Sequence, residues 1–165
     1  DTVPGWGLGE DGKSVIGPTH GAVVVDKAGN IYTSADNGVH VFSPDGKVVA
    51  SGSDDGTIIL WDTAGRKSIG KPLAGHKGAV ESVVFCPDGK TLASCSMDKT
   101  VILWNIRDRK PIGEPLRGHT ESVEGIAFSP DGRLLASGSE DGSIILWDVA
   151  SQKPISVPLI VNKGD

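Results

Sequence analysis

One pattern recurs three times along this chain at a fixed step of 43 residues, and that step limits the folds open to it. Phe42-Ser-Pro-Asp-Gly46 is answered by Phe85-Cys-Pro-Asp-Gly89 and Phe128-Ser-Pro-Asp-Gly132. Ala50-Ser-Gly-Ser-Asp-Asp-Gly56 returns as Ala93-Ser-Cys-Ser-Met-Asp-Lys99 and Ala136-Ser-Gly-Ser-Glu-Asp-Gly142. Ile59-Leu-Trp-Asp62 returns as Ile102-Leu-Trp-Asn105 and Ile145-Leu-Trp-Asp148. No insertion breaks the register. A unit this short cannot bury its own apolar face, so it must stack on its neighbours.

The middle unit is the clearest to read. Val80 to Phe85 alternates apolar and polar residues, which predicts a half-buried strand. Pro87-Asp88-Gly89 turns the chain back into a second strand, Lys90 to Ser96, and Met97-Asp98-Lys99 makes a tight turn into a third, Thr100 to Asn105. Val101-Ile-Leu-Trp104 is a continuous apolar run, as expected of a strand covered on both faces. A weaker fourth strand is predicted around Pro111 to Leu116, before Gly118-His119 opens the next unit. Four short antiparallel strands per unit, repeated at 40–45 residues, predict an all-β fold: a β-propeller of four-stranded blades.

Composition agrees and excludes other classes. With 23 Gly and 10 Pro in 165 residues, turns outnumber any scope for long helices. The formal net charge of −5 argues against a nucleic-acid partner, which would call for a basic stripe. No apolar run approaches the ~18 residues of a membrane span. The first residues, Asp1-Thr-Val-Pro-Gly-Trp6, show no signal peptide and no initiating Met, so a processed or partial chain is expected and localisation stays unknown. Cys86 and Cys95 fall in one hairpin, about 13 Å apart along the strand at ~3.3 Å per residue, too far for a disulfide. They lack metal spacing, and the sister units carry Ser or Gly there, so small-residue packing is expected.

Gly-His, Phe-Ser-Pro-Asp-Gly, Ser-x-Ser-x-Asp and Leu-Trp-Asp, in this order, resemble the WD-repeat family over about residues 41–159. The resemblance implies a buried structural relay that fastens each blade. Its sets would be His76, Ser94, Asp98 and Trp104, then His119, Ser137, Asp141 and Trp147. The chemistry suits the role, because each polar group supplies what the next lacks. Ser, His and Asp also suggest a hydrolase. The set recurs at the blade period, however, with a Trp to occupy each serine, so no catalytic residue is expected. The first unit has Ser51, Asp55 and Trp61 but Thr33 in the histidine position. The last runs out at Val161-Asn162, where Gly-His would stand.

Residues 1–40 do not read as a degraded copy of the repeat. Gly21-Ala-Val-Val-Val-Asp26, Gly29-Asn30-Ile-Tyr-Thr-Ser-Ala-Asp36 and Gly38-Val-His-Val-Phe42 resemble blades of the NHL-repeat and gluconolactonase-like six-bladed propellers. An atypical N-terminal blade (1–40) followed by three WD-type repeats (41–165) is expected, with residues 39–46 able to serve either frame. A chimera, natural or engineered, would explain this. The lactonase resemblance brings a metal-dependent hydrolase reading, with Asp26, Asn30, Asp36 and Asn37 as candidate ligands. The same Asp-x-x-x-Asn spacing is ordinary hairpin chemistry, and no metal or other cofactor is expected. His20 and His40 lack spaced partners. Lys67, Lys110 and Lys153 recur before the fourth strand as edge charges that deter stray pairing.

About four blades per chain is too few for blades of this type, so ring closure by self-association into a homodimer of eight blades is favoured over completion by blades outside this sequence or on a partner chain. Function then falls to the surface. Asp54, Met97 and Glu140 precede the turn aspartates, and Lys77, Glu121, Glu81 and Glu124 follow the Gly-His sites. Together they form a largely acidic candidate rim with one apolar contact, suited to a basic or mixed peptide. The leading reading is a non-catalytic scaffold for protein–protein interaction. The alternative is an assembly with no evolved activity beyond folding, since near-identical repeats leave little room for a tailored site.

Overall fold

The computed structural model describes residues 24–25, 31–35 and 38–160, with side chains from residue 41 onward. Among these residues the regular elements are strands in three antiparallel sheets. The first sheet contains β1 (Val24–Val25), β2 (Ile31–Ala35), β3 (Gly38–Phe42), β4 (Val48–Gly52), β5 (Thr57–Asp62), β6 (Lys67–Ser68) and β7 (Leu73–Ala74). The second contains β8 (Val80–Phe85), β9 (Thr91–Ser96), β10 (Thr100–Asn105), β11 (Lys110–Pro111) and β12 (Leu116–Arg117). The third contains β13 (Val123–Phe128), β14 (Leu134–Ser139), β15 (Ser143–Asp148), β16 (Lys153–Pro154) and β17 (Leu159–Ile160). No helix here is long and apolar enough to cross a membrane.

Each sheet is one blade, and the inner strands β3, β8 and β13 stand side by side in that order. The Pro-Asp-Gly turns work as their chemistry dictates. Gly46, Gly89 and Gly132 adopt φ of 68°, 65° and 71°, a region open to glycine at little cost. The turn aspartate gathers the backbone, as when Asp88 Oδ1 accepts the N–H groups of Lys90 (2.8 Å) and Thr91 (3.0 Å).

Two features differ from the sequence reading. Three blades are present among the described residues where about four were expected. β2 pairs with β3, which also pairs with β4, so β1 and β2 extend the first sheet. The outer strand is also broken in two. In the second blade, β11 and β12 both pair with β10, and Ile112 N–H between them donates to Leu103 O at 2.7 Å. Gly113 at φ 70° and Pro115, which has no N–H, interrupt the ladder between them. Lys67, Lys110 and Lys153 sit exposed at the start of these outer pieces.

The core lies between blades, and period-two alternation divides it. Ile102 and Trp104 point at the first blade and join Ile58, Leu60 and Leu73. Val101 and Leu103 point the other way and join Val123, Ile145 and Trp147 of the third. One blade thus presents a Trp face to its predecessor and an aliphatic face to its successor. Cys86 and Cys95 are free, buried thiols. Burial pushes them up to about 11 and about 12, so they stay protonated and pack as small residues.

Among the described residues, no later blade covers the aliphatic face of the third. Leu146 is half-exposed, whereas Leu103, its equivalent one step earlier, is 2% exposed. Leu103→Ala should therefore lower the unfolding free energy by about 2–5 kcal/mol. Leu146→Ala should cost about 1 kcal/mol or less. Urea denaturation of the two variants checks this, and equal losses would contradict the division of the core.

Candidate functional site

Two side-chain constellations stand out, one buried and one at the surface, and the first places the second. His76 lies two residues past the end of β7 in the loop leaving the first blade, yet its ring is buried in the second. Its Nδ1 is 3.0 Å from Asp98 Oδ2 and its Nε2 is 2.7 Å from Ser94 Oγ. Trp104 Nε1–H donates to the same Ser94 Oγ at 2.8 Å. The third blade repeats this: His119 Nδ1 to Asp141 at 3.1 Å, Nε2 to Ser137 at 2.8 Å, and Trp147 to Ser137 at 2.8 Å.

Counting donors assigns the protons. Indole N–H can only donate, so the serine oxygen accepts from Trp and gives its own hydrogen to Nε2. Nε2 is then the acceptor, and Nδ1–H donates to the aspartate. Burial lowers the His76 pKa below its ordinary 6.5, against the opposing pull of Asp98, which keeps the imidazole neutral. Burial acts to raise Asp98, but hydrogen bonds from Thr100, Lys77 N–H and His76 prevail and hold it below 3.8. Asp141 is likewise held low, burial being outweighed by Ser143, Thr120 N–H and His119.

Sequence reasoning missed some members of this network. Thr100 Oγ1 donates to Asp98 Oδ1 at 2.6 Å and Ser143 Oγ to Asp141 Oδ1 at 2.5 Å. The backbone N–H after each histidine, Lys77 or Thr120, donates to the same aspartate at 2.8 Å. A hydroxyl at 57, 100 and 143, on the 43-residue step, was the available signal. In the first blade Trp61 Nε1–H donates to Ser51 Oγ at 2.9 Å, and Asp55 Oδ1 holds Thr57. Thr33 is in β2, opposite His40, and among the described side chains no loop histidine reaches this blade. Ser94 and Ser137 are buried with their lone pairs engaged, and neither offers a reachable nucleophile.

The bond from loop histidine to turn aspartate draws the two kinds of loop to one end of the blades, where the rim residues lie. Met97 is 57% exposed there. The pairing register of β8 shifts around Glu81 and that of β13 around Glu124, and such bulges re-aim the side chains they carry. Partial burial first, then the charges of Glu124, Asp54 and Glu140, raise the Glu81 pKa above its ordinary range. These four carboxylates therefore share one electrostatic neighbourhood. Glu121 is apart from them, paired with Lys99 Nζ at 3.3 Å, and Lys77 is exposed. His20, Asp26, Asn30, Asp36, Asn37 and Asn162 lie outside the described residues, as does the His40 side chain. Among the described residues no group of three or more His, Cys, Asp or Glu could hold a metal ion.

The buried network sets a pH response. Unfolded His76 binds a proton below about 6.5 while the folded form resists it, so its stabilisation is complete above that pH and is lost as pH falls through the depressed value. Asp98 acts in the same direction further down: its contribution is present above 3.8 and is lost below it. His76→Ala leaves Ser94 and Asp98 short of partners and should cost about 2–4 kcal/mol at about pH 7.5. It should also flatten the fall in Tm between about pH 7 and 5, readable by calorimetry; an unchanged slope would clear His76 of the effect.

These buried quartets and four-strand sheets coincide with what comparison with known proteins finds. The model described as "WD domain, G-beta repeat" matches residues 27–62, 67–105 and 109–148. A search of curated proteins finds no match. The first matched segment includes β2, and the second and third each end on the Trp-containing strand of their blade. With well over half of its residues so matched, the chain belongs to the WD-repeat family.

Proposed function

We propose that this chain is a non-catalytic scaffold for protein–protein interaction, that its acidic rim receives a basic peptide segment with one apolar side chain, and that its blades close into a ring with a second copy. The observation that carries the rim reading is an exposed Met97 on the same end as Glu81, Glu124, Asp54 and Glu140. The carboxylate charges that help raise the Glu81 pKa are relieved by an incoming cation. A pliable thioether beside them offers van der Waals contact to an apolar residue.

Ring closure is supported by the faces at the two ends of the blade row. The third blade leaves Ile144 and Leu146 half-exposed and Leu159 at 53%, although the matching Val101, Leu103 and Leu116 are buried. Three described blades per chain put six in a two-copy ring, within the usual span of about four to eight. Residues 1–40 we read as an N-terminal segment of a different propeller lineage. That reading is supported by β3, which pairs on one edge with β2 and on the other with β4.

Titration of a Lys-rich peptide bearing one Leu should show binding that weakens as salt rises. Glu81→Gln or Glu140→Gln should weaken it about threefold to tenfold by calorimetry. Binding that ignores both substitutions would remove the rim from the mechanism. Light scattering should give a mass near twice 17.1 kDa, and a chain that stays at 17.1 kDa at every concentration would rule out closure by self-association.

A further inference from the structure

We propose that the end of the blades opposite the rim carries a second binding surface, a basic patch spanning the first and second blades, and that it takes an acidic peptide segment. This surface is independent of the rim, lying at the far end of the strands on different residues.

Antiparallel pairing sends two kinds of turn to this end, and a hydrogen bond ties them together in each blade. Thr63 N–H donates to Lys47 O and Ile106 N–H to Lys90 O, both at 3.0 Å. The Pro-Asp-Gly turn and the turn after the Trp strand therefore lie side by side. At the junction of the first two blades this gathers Arg66, Lys67, Lys90, Arg107, Arg109 and Lys110, all exposed. Among the described residues none of them is ion-paired with a carboxylate. The carboxylates at the same junction are fewer: Asp62, Asp88 and Asp108. The first two are committed to their own turns, Asp62 to Ala64 N–H at 3.1 Å and Asp88 to the N–H groups of Lys90 and Thr91.

The middle blade departs from its sisters at this turn. Asn105 stands where they carry Asp62 and Asp148, and Arg107 where they carry Ala64 and Ala150. Asp148 Oδ1 accepts Ser151 N–H at 2.8 Å, and Asn105 Oδ1 accepts Asp108 N–H at 2.9 Å in the same way. The turn needs an acceptor and not a charge, so asparagine keeps the local structure while removing a negative charge from the patch. Asp108 returns one carboxylate, yet the turn still ends more positive than either sister. Arg109 is held in place across the junction. Its Nη1 donates to Ile69 O of the first blade at 3.4 Å, and its guanidinium lies over Gly70, where any side chain would collide with it.

The chemistry of the patch selects the partner. Guanidinium groups present N–H donors in a planar fork that a carboxylate matches with two parallel hydrogen bonds. The large exposed apolar side chains among the described residues are Met97 and those between Ile155 and Ile160, away from this junction. No exposed aromatic ring is therefore at hand to stack a nucleic-acid base, and no apolar anchor to enter a bilayer. The net charge of −5 also repels a long polyanion. A short acidic segment stays within the patch, because the remaining charges are screened beyond about 8 Å at physiological salt.

Calorimetric titration of the full chain with a short Glu-Ser repeat peptide tests this. The peptide should bind, and more weakly as salt rises. Arg107→Ala should weaken binding about threefold to fivefold. Asn105→Asp, which keeps the turn acceptor and restores the charge of the sister blades, should weaken it about threefold. Arg117→Ala removes an exposed arginine at the rim end, opposite Thr100, and should leave binding unmoved. Equal losses from Arg107→Ala and Arg117→Ala, or a wild type that does not bind the peptide, overturn the patch. Tighter binding of oligouridylate, or of mixed phosphatidylcholine–phosphatidylserine vesicles, that is lost in Arg107→Ala overturns the acidic-peptide assignment.

Discussion

The hydrogen bond between a loop histidine and a turn aspartate does most to make this a single structure. The histidine belongs, by chain connection, to the blade before and the aspartate to the blade after. A sheet of four short strands has two apolar faces and little stability of its own. A buried, directional contact that joins one sheet to the next fixes their relative position in a way that apolar packing by itself cannot. The serine and indole behind the histidine add precision, since the hydroxyl accepts from the indole and donates to the imidazole. In the second blade, lowering of the His76 pKa by burial keeps that pattern in one protonation state near neutrality.

Alternation along the third strand of each blade is the complementary constraint. Neighbouring residues Val101, Ile102, Leu103 and Trp104 are all buried, yet they serve two different cores. A one-residue slip would exchange them, putting an indole where the aliphatic face needs Leu and leaving Ser94 without its donor. Register and relay therefore enforce each other. The repeat also explains why blades at the ends differ from the blade in the middle. The same side chains at 103 and 146 meet opposite fates, because burial here comes from a neighbour and not from the unit itself.

Much of this was legible before any coordinates. The fixed step and its turn residues locate the three long strands of each unit to within a residue, and the step places each Ser, His, Asp and Trp at one recurring offset. What could not be read depended on backbone detail. The outer strand looked continuous at Pro111 to Leu116, but glycine and proline within it break the ladder. Nor was it readable that β2 pairs with β3 and so extends the first sheet. Bulging at Glu81 and Glu124 leaves no mark in a list of residue types, and neither do cross-blade reaches such as Gln152 to Ile112 O. Arg109 and Gln152 occur at one offset, but only their three-dimensional neighbours, Ile69 O and Ile112 O, reveal what they are for.

The unlike faces of a blade have one more consequence. Because a Trp face always meets an aliphatic face, the row has a direction, and any joining of rows preserves it. Head-to-tail contacts of this kind end in a closed body only when the rotation from sheet to sheet divides a full circle; otherwise they continue as a helical filament. The wedge angle of a single blade, set by the bulk of Trp104 and Trp147 against Leu60 and Leu103, thus decides between a discrete particle and an unbounded fibre.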